Sequence, residues 1–245
     1  MHRCLVTTEQ LLAETCALGR DEARHLKTVL RIKPGANVTL FDGHGRTRIV
    51  VVAALSKDSL VFSALEPVRT WPPPPCRITL FACVSKGGRM DWTVEKAVEL
   101  GAFSIVPVIS ERTVVRLDDA GEGVAKAGRW SRVAEEAARQ CQAVWLPEVH
   151  APVTFAESLR LVEETAPVFV AALTPSATPL RQALADYGAP PARAGWFVGP
   201  EGDFTPAELQ SLLDAEAIPV SLGPHVLRAE TACLYGLCAL SCAWL

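Results

Sequence analysis

The sequence predicts an α/β protein: a mostly parallel sheet with helices on both faces, preceded by a small β-barrel that carries one helix. Three observations lead there. Apolar runs at Ile78–Val84, Phe103–Ile109, Val168–Leu173, Trp196–Val198 and Ile218–Leu222 alternate with segments of helical period. Strands apolar on both faces and spaced by helices belong in parallel sheets covered on two sides. Ahead of residue 71 the segments are shorter and alternate apolar with polar residues, the pattern of half-buried strands. Between the two patterns lies WPPPPC, Trp71–Cys76, a polyproline stretch that cannot enter a helix or a sheet interior and acts as a stiff spacer.

The elements follow in order. Strands are expected at Val38–Phe41, Arg46–Ala53 and Ser59–Leu65, joined by the turns DGHG and SKDS, with one helix at Asp21–Arg31. Beyond the prolines, helices are expected at Met90–Leu100, Val124–Cys141, Phe155–Glu164, Pro179–Tyr187, Pro206–Ala215 and Thr231–Trp244. The expected division is therefore a first domain over 1–70, a linker over 71–75 and a second domain over 76–245. A chain of 245 residues accommodates either one large or two smaller domains.

Composition bounds the function without naming it. Hydrophobic residues make up 49% of the chain, enough for a core, and no apolar run is long enough to span a bilayer. The opening MHRCLVTTEQ has no apolar signal-peptide segment, so a cytoplasmic location is expected. Eight cysteines form no CxxC pair and have no histidine cluster beside them; they are read as reduced core residues, and no metal is implied. Residues 1–70 hold ten Lys and Arg against seven Asp and Glu, whereas the whole chain carries −3. A basic small domain on an acidic larger one suits a module that touches phosphates.

Two glycine-bearing loops carry the chemistry. GPEGDFTPAEL, Gly199–Leu209, follows the strand ending at Val198 and opens a helix, with Thr205 at the N-cap, Pro206 at the first helical position and Glu208 completing a capping box. SLGPHVLRAETA, Ser221–Ala232, repeats strand, glycine loop and helix. Loops of this kind build ligand crevices at strand carboxyl ends in α/β sheets. Glu201, Asp203, Arg228 and Glu230 give them a polar lining.

With HLKTVLRIKPG (His25–Gly35), FDG (Phe41–Gly43), SKGGRMDWTVEKAVELG (Ser85–Gly101) and SERTVV (Ser110–Val115), these loops stand in an order that resembles the RsmE family of 16S ribosomal RNA uridine N3-methyltransferases, of the SPOUT class. The resemblance spans nearly the whole chain. It implies a PUA-like RNA-binding first domain, a trefoil-knotted second domain and a homodimer to which the C-terminal helix contributes through Leu234, Leu237, Cys238 and Leu240. It also implies an S-adenosylmethionine pocket comprising Leu173 and Thr174, Gly199, Pro200, Glu201 and Gly202, and Leu222, Gly223, Val226 and Leu227. The implied substrate is one uridine in the decoding region of 16S rRNA, within the assembled small subunit.

Methyl transfer to N3 of uracil requires an unpaired base, an acceptor for its proton and stabilisation of charge on the flanking carbonyls. Arg228 is the candidate cation. Glu201 and Glu230 are candidates either for accepting the proton or for orienting Arg228. Alternatively, Glu230 is a first-turn helix carboxylate and Arg228 its ion-pair partner. RNA contacts are expected from His25, Lys27, Arg31 and Lys33, and from Lys86 and Arg89 flanking Gly87 and Gly88, where backbone amides and cations together suit phosphate. His25 is also placed to pack beside Leu26 and Val29.

Two departures from the family pattern stand out. Near the end of the long helix this chain reads Arg139, Gln140, Cys141, Gln142 and Ala143, without the usual glycine and arginine after Gln140, and Asp203 stands where a third glycine is common. Two rival readings remain: a non-catalytic RNA-binding protein, and an α/β enzyme holding a nucleotide phosphate. Intact GPEG and LRAET disfavour the first; the absence of GxxxxGK[ST] and GxGxxG disfavours the second.

Overall fold

The computed structural model describes residues 2–18, 32–56, 59–115, 120–187 and 189–245. They form two compact units, Met1–Pro73 with Ala138–Leu146, and Pro74–Ala137 with Pro147–Leu245. The sequence reading took 76–245 as one stretch, and the structure instead counts Ala138–Leu146 with the first unit. The cause is backbone pairing: Leu146 N–H donates to Gly43 O and Gly45 N–H to Val144 O, each at 2.9 Å. Residue types do not reveal such a pairing across a hundred positions.

The first unit contains β1 (His2–Leu5), α1 (Thr8–Leu12), β2 (Thr15–Leu18), β3 (Asn37–Phe41), β4 (Arg46–Leu55), β5 (Leu60–Ala64) and β6 (Arg69–Thr70). The sheet runs β1-β3-β4-β5-β2, with β6 pairing to β4. The expected strands at 38–41, 46–53 and 59–65 correspond to β3, β4 and β5, while the expected helix Asp21–Arg31 lies outside the described residues. Cys16 and Leu18, Val38 and Leu40, Val50 and Val52, and Leu60 and Phe62 meet in one core with Leu11 and Ile32. These pairs are spaced by two, so each strand turns one face inward, and the sheet curls about what it buries. Buried Arg48 ties α1 to the sheet, donating through Nη1 to the carbonyls of Leu12 and Ala13 at 3.2 and 3.0 Å and through Nε to Glu66 O at 2.9 Å.

The second unit contains β7 (Arg77–Cys83), α2 (Arg89–Glu99), β8 (Ser104–Ile109), α3 (Ala120–Cys141), β9 (Glu148–Val149), β10 (Val153–Thr154), α4 (Phe155–Thr165), β11 (Val168–Ala171), β12 (Thr178–Pro179), α5 (Leu180–Ala185), β13 (Arg193–Val198), α6 (Pro206–Asp214), β14 (Ile218–Ser221) and α7 (Ala229–Trp244), with the last residues of α3 counted in the first unit. The sheet runs β10-β8-β7-β13-β11-β14-β12, with β9 beside β8, and its pairings are parallel.

Trp196 and Phe197, adjacent on β13, show how both faces are covered. Phe197 packs with Phe81, Phe204, Val162 and Leu212 on the side of α4 and α6. Trp196 points the other way, into α7, where its Nε1–H donates to Ala232 O at 3.2 Å. A Cβ on Gly236 would lie 2.0 Å from that indole, so glycine is what lets α7 approach the sheet. Helix α7 also packs on α2.

One sequence expectation fails here. Cys4, Cys16, Cys76, Cys83 and Cys233 are buried, but Cys141 is only partly covered, and Cys238 and Cys242 are exposed. The last helix is apolar nearly all round, so hydropathy alone does not say which of its faces is the covered one.

Candidate functional site

Strands β13, β11 and β14 are neighbours, parallel, and end together. The segments leaving their carboxyl ends enclose a cavity of about 340 Å³, lined by Ala171–Leu173, Val198–Glu201, Asp203, Val220–Gly223, His225–Ala229 and Ala232. Of the expected pocket residues, Leu173, Gly199, Pro200, Glu201, Leu222, Gly223, Val226 and Leu227 line it. Thr174 and Gly202 do not: Thr174 Oγ1 lies 3.1 Å from Ser176 Oγ, and Gly202 turns its carbonyl toward Arg112. The sequence reading missed Ala171, Ala172, Val198, Val220, Ser221, Ala229 and Ala232. Their signal is weak, mostly small residues where strand gives way to loop or helix. Leu173 and Val226, 68% and 77% exposed, stand apolar at the cavity's open side.

The first loop is held from several directions. Asp203 N–H donates to Pro200 O at 2.9 Å, closing a tight turn that places Asp203 at φ 58°, in the left-handed region. Glycine adopts such a conformation without strain. Asp203 compensates with a short local bond, its Oδ1 accepting from Phe204 N–H at 2.8 Å. Thr205 caps α6 and Glu208 completes the box: Glu208 N–H donates to Thr205 Oγ1 at 3.2 Å and Thr205 N–H to Glu208 Oε2 at 2.9 Å.

Glu208 does more than cap. Its other oxygen accepts from Glu111 N–H at 2.8 Å, and Arg112 Nη1 donates to Gly202 O at 2.9 Å. Ser110 and Thr113 close their own turn, Ser110 N–H donating to Thr113 Oγ1 at 3.0 Å. The SERT segment is therefore a buttress for the loop at 199–203, a role the sequence reading left unassigned. Behind it, burial pushes the Cys83 thiol up to about 12 and raises that of Cys233 further, so neither supplies a thiolate at neutral pH.

The charged groups are arranged otherwise than the sequence suggested. Glu201 lines the cavity, and its Oε1 accepts from Arg89 Nη1 at 2.9 Å. Arg89 Nε also lies 3.9 Å from Glu230 Oε1, so one guanidinium from the start of α2 bridges carboxylates from two loops. The remaining oxygen of Glu230 is buried without a hydrogen-bond partner. Arg228, the N-cap residue of α7, lines the cavity and makes no ion pair with a described residue, so the alternative in which it pairs with Glu230 fails. Geometry explains this: at the N-cap the chain is still extended, φ −66° and ψ 152°, and the side chain leaves the helix axis.

Lys86 and Lys33 are exposed, each remote in sequence from the cavity loops; His25, Lys27 and Arg31 lie outside the described residues. Among the described residues no group of three or more His, Cys, Asp or Glu is placed to hold a metal ion, and no helix is long and apolar enough to cross a membrane.

Comparison with known proteins narrows what this arrangement is. The family described as RNA methyltransferase domain matches residues 72–241, and that described as RNA methyltransferase PUA domain matches residues 18–65. Ribosomal RNA small subunit methyltransferase E of Mycobacterium tuberculosis is 36% identical over 228 residues, covering 90% of this chain and 83% of its own. Its namesake in Synechocystis is 30% identical over 231 residues, covering 94% and 74%. The crystal structure of Ribosomal RNA small subunit methyltransferase E from Neisseria gonorrhoeae bound to S-adenosyl methionine superposes with a TM-score of 0.88 at 31% identity, covering 100% of this chain and 98% of that one. With a PUA-like first domain, a parallel α/β sheet and three strand ends converging on one cavity, the chain belongs to the ribosomal RNA small subunit methyltransferase E family.

Proposed function

We propose that this protein methylates N3 of one uridine in the decoding region of 16S rRNA, with S-adenosylmethionine as donor and the assembled small subunit as substrate. The observation that carries the reading is the cavity at the ends of β13, β11 and β14, which brings Glu201 and Arg228 to one space. The residues there fit the donor. A volume of about 340 Å³ with apolar walls at Ala172, Val198 and Leu227 suits a nucleoside, carboxylates at Glu201 and Asp203 suit a cation, and a Cβ on Gly223 would meet nothing within 4 Å, leaving the loop open to a ligand. The pocket residues of the proposal are those expected from the sequence, less Thr174 and Gly202, with Ala172, Val198 and Asp203 added. When bound, the donor supplies a methyl group on a sulfonium: the N3–C bond forms as the C–S bond breaks, and the electron pair stays on sulfur.

The chain's own part is orientation and charge. Arg228, with no carboxylate neutralising it among the described residues, is placed to face the uracil carbonyl on which negative charge gathers as N3 loses its proton. Glu201, at the cavity wall with one oxygen on Arg89, offers its other oxygen to that proton. Glu230 stands behind Arg89 and does not line the cavity, which suits orienting rather than proton transfer.

The same reading makes residues 1–70 the RNA-binding module, with His25, Lys27, Arg31 and Lys33, and 76–245 the methyltransferase, threaded as in the SPOUT class and acting in the cytoplasm. It also makes the protein a homodimer through α7, though not through Leu237 and Leu240 as expected, because both are fully buried in this chain's own core. Thr231, Tyr235, Cys238, Cys242 and Leu245 form an exposed stripe at helical spacing that carries no charge, which a partner copy would cover.

Calorimetry with S-adenosylmethionine and a methyl-transfer assay on small subunits test the function together. Binding in the micromolar range and an Arg228→Ala variant that still binds donor but transfers methyl about 100-fold more slowly are expected. Absence of donor binding, or competition by ATP or NAD for the cavity, contradicts it.

A further inference from the structure

We propose that Arg89 is a positioning residue of the methyl-transfer site, and not a phosphate contact as its place after Lys86, Gly87 and Gly88 suggests. The inference rests on the methyl-transfer reading above and adds a residue to it. Arg89 opens α2, whereas the carboxylates it joins come from the loop after β13 and from the first turn of α7. Its Nη1 holds Glu201 Oε1 at 2.9 Å while its Nε faces Glu230 Oε1 at 3.9 Å. One guanidinium nitrogen is thus hydrogen-bonded to a carboxylate and a second lies within ion-pair distance of another, and a guanidinium flanked by two carboxylates has less charge to offer a phosphate.

The bridge has a consequence for the reaction. Glu201 sits on the cavity wall at the end of a turn, where a lone side chain samples several rotamers, and the ion pair selects one of them. Glu230 in turn fixes Arg89: its side chain is 12% exposed and one of its oxygens is buried without a partner, so the carboxylate has little freedom to move. With Arg89 between them, Glu201 keeps one oxygen on the guanidinium and the other toward the cavity. The N3 proton passes to that free oxygen, the nitrogen lone pair forms the bond to the methyl carbon, and the C–S electron pair leaves with sulfur. A lysine keeps the charge but has no rigid fork to span two carboxylates.

The test uses the full chain and small subunits, with Arg89→Gln, Arg89→Lys, Glu201→Gln and the double variant Arg89→Gln/Glu201→Gln. Arg89 is half exposed, so the variants fold, which thermal unfolding checks. The single-turnover methyl-transfer rate should fall about 30-fold in Arg89→Gln and nearly as far in Arg89→Lys, and the double variant should be no slower than the slower single one, because both act through one carboxylate. RNA affinity should stay within about threefold, and its dependence on salt should keep its slope, since no phosphate contact is lost.

Weaker RNA binding with a slope shallower by about one and an unchanged saturating rate overturns the proposal in favour of a phosphate contact. A fully active Arg89→Lys overturns the bridging geometry. An inactive wild type sinks the methyl-transfer reading and this one with it, whereas an active wild type with multiplicative losses in the double variant sinks this one alone.

Discussion

Among the described residues three sit in left-handed backbone without being glycine, Gln142, Asp203 and Glu216, and the first two are the departures noted in the sequence. Gln142, at φ 64°, follows the last residue of α3, where a glycine would end the helix without strain. Gln142→Gly is expected to stabilise the protein by about 1 kcal/mol, read as a higher denaturant midpoint at unchanged slope. Gln142 is thus a helix-ending position, and Ala143 beside it has no structural explanation. Asp203→Gly should change stability by less, because relief of the strain at φ 58° is offset by loss of the bond to Phe204 N–H. Gly236→Ala works in the opposite sense. A methyl 2.0 Å from a buried indole forces α7 off the sheet, and a loss of about 3 kcal/mol or more by chemical denaturation is expected.

The turn between β3 and β4 shows what an element gains from one carboxylate. Asp42 is buried, which works to raise its pKa, but bonds from His44 N–H at 2.8 Å, Arg46 N–H at 3.1 Å, Thr8 Oγ1 at 3.0 Å and the Arg46 side chain at 3.3 Å outweigh burial and hold the carboxyl below its ordinary range. A carboxyl with a lowered folded pKa contributes stability that is fully present above its unfolded value of about 4 and is lost as pH falls through the folded one. Asp42→Asn should therefore lower stability at pH 7 by about 1–3 kcal/mol and flatten the acid limb of a stability profile below about pH 4. The buttress of the cavity loop is a second such element. Glu208→Ala removes the reciprocal half of the α6 capping box and the bond from Glu111 N–H, so weaker donor binding is expected in calorimetry, together with a stability loss of about 2 kcal/mol.

At the scale of the molecule, the sheet was legible because its strands are buried on both faces and read as apolar runs. β7, β8, β11, β13 and β14 all fall within a few residues of those runs. Strands β1 and β2 were not, since four-residue segments such as HRCL and TCAL carry too little alternation to distinguish them from loop. Nor was the inclusion of 138–146 in the first unit, which rests on long-range backbone bonds. The cavity loops were found by their glycines and capping box, but the pairing of Arg89 with Glu201 spans more than a hundred residues and leaves no trace in spacing. The proposed dimer has its own check: Tyr235→Glu should give a monomer in sedimentation, and Cys238 and Cys242 should react with a thiol reagent faster in that variant than in the wild type. The claim that joins all these parts is the reaction itself, and nucleoside mass spectrometry of 16S rRNA, after incubating unmodified small subunits with this protein and isotopically labelled S-adenosylmethionine, tests it most directly. One labelled 3-methyluridine per 16S rRNA, mapping to the decoding region, is the predicted result; no label, or label on any other nucleoside, contradicts it.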